Sequence, residues 1–124
     1  MTVNGARFTK GARLLKPAEY SRVFKKAIRS SDRLLTILAA SNDLGHPRIG
    51  LVISRKNAKR AVDRNRIKRV IRESFRLRQL ELPAADFVIM AKPVTKFADN
   101  RELFMSLEHH WNRLIKQCAK SSSQ

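Results

Sequence analysis

The residues best suited to chemistry form a dense basic group in the third quarter of the chain. Residues 55–78 contain eleven lysines and arginines against two acidic residues. At about 100° per residue on a helix, one face carries a polar and cationic stripe made of Asn65, Lys68, Arg69, Arg72 and Arg76. A merely solvated helix face usually mixes both charge signs, so this stripe indicates a surface that binds a polyanion. Arginine favours RNA, because its planar guanidinium can hold phosphate and stack on unpaired bases.

Side chains that could hydrolyse a substrate are not grouped in the sequence. The ten acidic residues are scattered, and the neighbours His109 and His110 point to different faces of a helix, unlike a zinc-binding pair four residues apart. We expect His110 at the border of the core, His109 in solvent, and His46 in a Gly-His-Pro turn with a structural or RNA-contacting role. The sequence therefore predicts neither catalytic residues nor metal ligands.

Composition predicts one folded, unexported domain. The chain has 124 residues, a formal net charge of +17 and 43% hydrophobic residues, which is enough for one core. Its apolar runs are shorter than the roughly 20 residues of a membrane span, and the N-terminus lacks the apolar segment of a signal peptide. Cys118, the single cysteine, cannot form an internal disulfide, which suits the cytoplasm.

Hydrophobic periodicity and turn residues predict the order of the elements. We expect an irregular basic arm over 1–13, a single domain over 14–119 and a flexible polar tail over 120–124. The predicted elements are a helix over 17–28, an antiparallel hairpin of strands 34–41 and 49–53, a helix over 58–80, a strand over 87–91 and a helix that starts at Asp99. The strand count before the middle helix stays open at two or three, because 34–54 could hold a bulge. This order predicts an α+β sandwich, αββ(β)αβα, with helices packed on a small mixed sheet.

Two helix starts have specific signals. Asp99 and Glu102 have the spacing of a capping box, in which each side chain accepts a hydrogen bond from the other residue's backbone N–H. The middle helix has a conflict in its first turn, because Ala58, Ala61 and Val62 fall on the cationic face and Arg64 on the apolar face. We expect this turn to be kinked, non-helical or packed against another element.

The run Arg64-Asn65-Arg66 and its surroundings resemble a known family. Residues 59–76 are similar to the RNR motif of the ribonuclease P protein family, and 44–51, 82–88 and 19–24 also resemble its proteobacterial members. The resemblance covers about 14–115. It implies a left-handed βαβ crossover within the α+β fold and a subunit of a ribonucleoprotein that removes the 5′ leader of precursor tRNA.

The resemblance also implies roles for individual residues. The RNR helix would bind the catalytic RNA of ribonuclease P through Arg64, Asn65, Arg66, Lys68, Arg69, Arg72 and Arg76. A cleft between the first helix and the sheet would bind the precursor tRNA 5′ leader, with aromatic residues at Tyr20 and Phe24 and with Arg55, Lys56, Lys59 and Arg60 beside it. From the residues alone, Phe24 is equally compatible with core and cleft, and Tyr20 is expected to be the more exposed. The RNA subunit would hold Mg²⁺ and perform the cleavage, and neither a membrane nor DNA is expected as a partner.

Two other classes share the charge and size of this chain. One is a ribosomal protein or general RNA chaperone. The other is a DNA-binding regulator that uses 58–80 as its recognition helix, although no helix-turn-helix partner precedes that segment.

Overall fold

Three α-helices and four strands make up the described chain. The computed structural model describes residues 12–13 and 16–122, so most of the predicted arm over 1–13 lies outside the described residues. The elements are α1 Pro17–Lys26, β1 Ile28–Ser31, β2 Leu35–Ser41, β3 Arg48–Val52, α2 Ala61–Arg78, β4 Ala85–Ala91, a 3-10 helix Pro93–Phe97 and α3 Asn100–Ser122. The predicted α+β class is confirmed, with three strands before α2.

The sheet differs from the prediction in its pairing. Its order is β1-β2-β4-β3, and β2 is antiparallel to β1 and β4, whereas β3 is parallel to β4. The predicted hairpin of β2 and β3 is therefore wrong, because β4 lies between them. Six of the seven residues of β4 are buried, which is typical of a central strand covered on both faces. Periodicity indicates that a strand exists but does not specify its partner.

The first strand was missed. The predicted helix over 17–28 ends at Lys26, and the chain then pairs Ile28–Ser31 with Thr36–Ala39. The extra strand thus comes before β2 rather than from a bulge within 34–54. Four residues are too few for periodicity to separate them from the end of a helix.

Alternate side chains of the sheet pack against two helical layers. Leu35, Ile37 and Ala39 of β2 belong to the main core beneath α2 and α3, whereas Ala40 packs with Val23 of α1 on the opposite face. The main core contains Trp111, whose ring lies edge-on to Phe75 and Phe87 at centroid distances of 6.2 and 5.6 Å.

The ends of α2 and α3 agree only in part with the ends predicted from the sequence. Helix α2 begins at Ala61 rather than 58, and Ala58 is buried in the core, so the expectation of a non-helical start is confirmed for Ala58. Ala61 and Val62 are helical and exposed. The capping box is confirmed: Asp99 Oδ1 accepts from the Glu102 N–H at 2.8 Å, and Glu102 Oε1 accepts from the Asp99 N–H at 3.2 Å. Helix α3 runs to Ser122, into the segment predicted as a tail.

The unit β3–α2–β4 joins two neighbouring parallel strands through a helix. This is the βαβ crossover that the resemblance implies, and its left hand stays a prediction from that resemblance. The connection places Lys68 and Arg72 of α2 around one cavity with Gly50 of β3 and Tyr20 of α1.

Candidate nucleic-acid interface

The cationic stripe of α2 lines one shallow groove. Its lining comprises Asn65, Lys68, Arg69, Arg72, Glu73 and Arg76, around a volume of about 390 Å³. The prediction that these basic residues share one helix face is confirmed. Within this groove Glu73 binds Arg76 at 2.6 and 3.0 Å, and this hydrogen-bonded pairing lowers the pKa of Glu73. The remaining cations, with Arg69 and Arg72 exposed, keep the groove strongly positive.

Two arginines of the RNR run are bound to the protein itself. The Arg64 guanidinium donates to the carbonyl oxygens of Ala58 and Lys59 at 2.8 and 2.7 Å. Arg66 donates to Asn100 Oδ1 at 2.8 Å and to the Lys96 carbonyl oxygen at 3.4 Å. Arg64 thus holds the turn before α2, and Arg66 links α2 to the start of α3. The sequence held one sign that Arg64 differs from the other arginines, because Arg64 falls on the apolar face of the predicted helix.

Helix α1 packs on β2 and β4, and two cavities lie beside it. The larger of the two is lined by apolar residues, with basic residues at its edges. Its volume is about 460 Å³, and its lining is Phe24, Ala27, Arg29, Thr36, Leu38, Met90, Ala91 and Lys92. Phe24 is 51% exposed, so its side chain is accessible to a ligand. Lys92 Nζ donates to Ser31 Oγ at 2.9 Å and to the Asp32 carbonyl oxygen, which fixes its position. The sequence analysis missed Arg29 and Lys92 here, because β1 was not recognised.

A smaller cavity lies on the other side of α1. It has a volume of about 110 Å³ and is lined by Arg13, Tyr20, Ile49, Gly50, Leu51, Lys68 and Arg72. Tyr20 packs directly on Gly50, where a Cβ atom would lie 2.7 Å from ring atoms. Burial raises the pKa of Tyr20, although a hydrogen bond with the Leu51 backbone acts in the opposite direction. The expectation that Tyr20 is more exposed than Phe24 was wrong. The Tyr20 ring packs against Gly50 of β3, and a glycine is needed there to leave room for the ring.

The four basic residues between β3 and α2 are exposed. Arg55, Lys56, Lys59 and Arg60 do not contribute to the lining of either cavity beside α1. Arg60 forms an ion pair with Asp63 at 3.2 Å. Their contact with the leader stays a prediction.

A buried carboxylate holds α1 against the sheet, and the sequence analysis did not find it. Asp86 of β4 is 0% exposed, and it accepts hydrogen bonds from Arg48 to both carboxylate oxygens at 2.8 Å, from Asn42 at 2.8 Å and from Arg22 of α1. Arg48 also pairs with Glu19 of α1 at 2.8 Å. Burial acts to raise the pKa of Asp86, but hydrogen bonds from Arg48, Asn42 and Arg22 lower it below its usual value. This network positions the helix that borders both cavities.

The family-model comparison assigns residues 8–115, nearly the whole chain, to Ribonuclease P. The chain belongs to the ribonuclease P protein family. It is 50% identical over 119 residues to the ribonuclease P protein component of Methylococcus capsulatus. That alignment covers 96% of this chain and 93% of the relative. It is 54% identical over 106 residues to the component of Cronobacter sakazakii, covering 86% of this chain and 89% of that protein.

The solved structures agree with the family assignment. The RNase P protein of Staphylococcus aureus matches with a TM-score of 0.78 and 31% identity, covering 88% of this chain and 96% of that protein. The resemblance read from the RNR run is thereby confirmed, and the ribosomal-protein and DNA-regulator alternatives are set aside. A ribonuclease P protein component is a subunit of the ribonucleoprotein ribonuclease P. Membership implies a role in tRNA 5′ processing and a partnership with the RNA of that nuclease.

The histidines of this ribonuclease P protein are placed as expected on α3: His110 is buried and His109 is exposed. His110 Nδ1 lies 2.7 Å from Ser30 Oγ, and its Nε2 lies 3.2 Å from Asp32 Oδ2. The three residue types resemble a hydrolytic triad, but Ser30 is 2% exposed and His110 is 1% exposed, so a substrate cannot reach them. Over 12–13 and 16–119, no three His, Cys, Asp or Glu side chains gather as metal ligands. No helix within the described chain is long and apolar enough to cross a membrane.

Proposed function

We propose that this chain is the RNA-binding subunit of cytoplasmic ribonuclease P. It binds the ribonuclease P RNA along the α2 stripe and the 5′ leader of precursor tRNA in the cavities beside α1. The RNA subunit holds Mg²⁺ and carries out the hydrolysis. The protein lowers the Mg²⁺ requirement by neutralising phosphates that otherwise repel one another.

One observation carries the proposal: the smaller cavity joins α1 to α2. Tyr20 of α1, Gly50 of β3, and Lys68 and Arg72 of α2 line the same space. Lys68 and Arg72 also line the groove along α2. An RNA on α2 and a single strand beside α1 would therefore meet at the β3 edge, on one continuous basic surface.

The larger cavity suits a single strand of variable sequence. A base can stack on the exposed side chain of Phe24, while Arg29 and Lys92 line the same cavity and can bind the phosphates. Every base has a π face, so stacking tolerates many leader sequences. This tolerance suits a subunit that must accept many tRNA precursors.

Reconstitution tests the proposal. Adding the protein to bacterial ribonuclease P RNA at low Mg²⁺ should restore cleavage of precursor tRNA. The double variant Lys68→Gln and Arg72→Gln should restore it poorly, whereas Lys116→Gln, which removes an exposed charge from α3, should act as wild type. No rescue by the wild-type protein would refute the proposal.

The leader assignment has its own test. Phe24→Ala should weaken binding of leader-bearing precursor tRNA to the holoenzyme by about fivefold or more, with little change for mature tRNA. Tyr20→Ala should behave in the same direction. Phe97→Ala, at an aromatic residue that is 79% exposed in the 3-10 helix, is the control. Equal losses for precursor and mature tRNA would remove Phe24 from the leader site.

A further inference from the structure

A groove between α2 and α3 has apolar side chains that belong to neither RNA surface described above. Its volume is about 430 Å³, and Val70 of α2 lines it together with Phe104 and Met105 of α3. Phe104 is partly exposed and Met105 is 51% exposed, so ring and thioether both face a ligand that enters the groove. The groove shares Arg69 and Glu73 with the cationic groove along α2 and is therefore continuous with it.

The rim of this groove is positively charged. Arg69 and Arg101 are both exposed at its edge. The acid at the rim, Glu73, is neutralised by its two hydrogen bonds to Arg76. A ligand that suits the groove has a flat apolar body and a negative group, which is the chemistry of a nucleotide whose base has left its stack.

Asn100 adds a specific polar group. Its Oδ1 accepts a hydrogen bond from Arg66 at 2.8 Å. Because arginine has only donors, the amide oxygen rather than the amide nitrogen must face Arg66. The amide therefore presents N–H donors on its other side. Such donors suit the ring nitrogen and carbonyl acceptors of a base.

We propose that the groove between α2 and α3 binds one unstacked nucleobase of the RNA that lies along α2, with Phe104 as the stacking face. Arg69 and Arg101 hold the phosphates on either side of that nucleotide. The inference rests on the proposed function, because the RNA it names is the ribonuclease P RNA.

Equilibrium binding to bacterial ribonuclease P RNA, measured at several KCl concentrations, tests the groove. Phe104→Leu keeps an apolar side chain but removes the π face, and it should weaken binding by about fivefold or more. The slope of log affinity against log salt should stay unchanged, because no phosphate contact is lost. Met105→Ala should weaken binding in the same way and leave the chain folded, since Met105 is half exposed. Leu77→Ala is the matched control, because Leu77 is also 51% exposed and lies outside the groove lining.

The nucleotide can then be located. A photo-crosslinking residue, Met105→p-benzoylphenylalanine, should crosslink to one nucleotide of the RNA. Replacing that nucleotide by an abasic one should abolish the difference between wild type and Phe104→Leu. Crosslinking to a second protein chain, or unchanged affinity of both groove variants, would overturn the inference while the proposed function stands. A wild-type protein that does not bind this RNA would overturn both.

Discussion

The Asp86 network provides the sharpest test of how this fold positions its interface. Asp86→Asn removes the carboxylate charge but keeps the shape of the side chain. Arg48, whose side chain is 15% exposed, then loses its main ionic partner and retains Glu19. Breaking a buried ion pair by removing one partner costs about 3–5 kcal/mol, because the other charge is left buried. The surviving Glu19 contact and the partial exposure of Arg22 place the expected loss near the lower limit, about 3 kcal/mol.

Urea unfolding followed by the fluorescence of Trp111 measures this loss in the free energy of unfolding. The matched control is Arg33→Gln, which breaks the ion pair with Glu102 at 3.4 Å between side chains that are 68% and 51% exposed and leaves the Asp99–Glu102 capping box intact. That pair is worth well under about 1 kcal/mol. Because Arg22 and Glu19 belong to α1, Asp86→Asn should also weaken the binding of leader-bearing precursor tRNA more than the binding of mature tRNA. A loss below about 1 kcal/mol, comparable with the control, would refute the argument that this carboxylate anchors α1.

Three further predictions test other contacts. Gly50→Ala should destabilise the fold by about 1–3 kcal/mol in urea unfolding, because its Cβ meets the Tyr20 ring; in a Tyr20→Ala background the loss should largely disappear, and persistence there would place the strain elsewhere. The pKa of Asp32 is about 2: burial acts to raise it, but hydrogen bonds from Ser106 and the backbone N–H groups of Leu35 and Leu34 prevail. Since the pKa of Asp32 is lower in the folded than in the unfolded chain, its ionised carboxylate stabilises the fold above about pH 4. About 1–2 kcal/mol of the free energy of unfolding, a value reduced for partial exposure, should be lost as the pH falls toward 2. Equally steep acid unfolding of Asp32→Asn would contradict this. Arg72→Ala should lower the slope of log RNA affinity against log salt by up to about one unit. Arg66→Ala should mainly lower the free energy of unfolding, by about 1–2 kcal/mol. Identical effects of the two variants would refute the division between RNA-facing and fold-bound arginines.

Helical features could be predicted because they depend on residues close in sequence. The α2 stripe repeats with the helical period, and the buried Leu103, Leu107 and Trp111 of α3 repeat in the same way. The Asp99–Glu102 capping box needs only a separation of three residues. In each case the interacting or aligned residues lie within a few turns of one another.

Contacts between distant residues could not be predicted in the same way. The carboxylate at Asp86 accepts hydrogen bonds from residues 38, 44 and 64 positions away. Arg66 reaches Asn100, 34 positions along the chain. Arg66 belongs to the same basic run as Arg69 and Arg72, so the family resemblance implied RNA binding for all three.

The amino-acid sequence by itself determined the basic character of the chain, the helical stripe, the α+β class and, through the RNR run, the family. Tertiary structure alone decided that β4 separates β2 from β3 and that Gly50 receives Tyr20. It also decided that Lys68 and Arg72 face α1 across the sheet edge. The physical reason is that strand pairing and ion pairing are selected by the packing of the whole chain, whereas periodicity and capping depend on neighbouring residues.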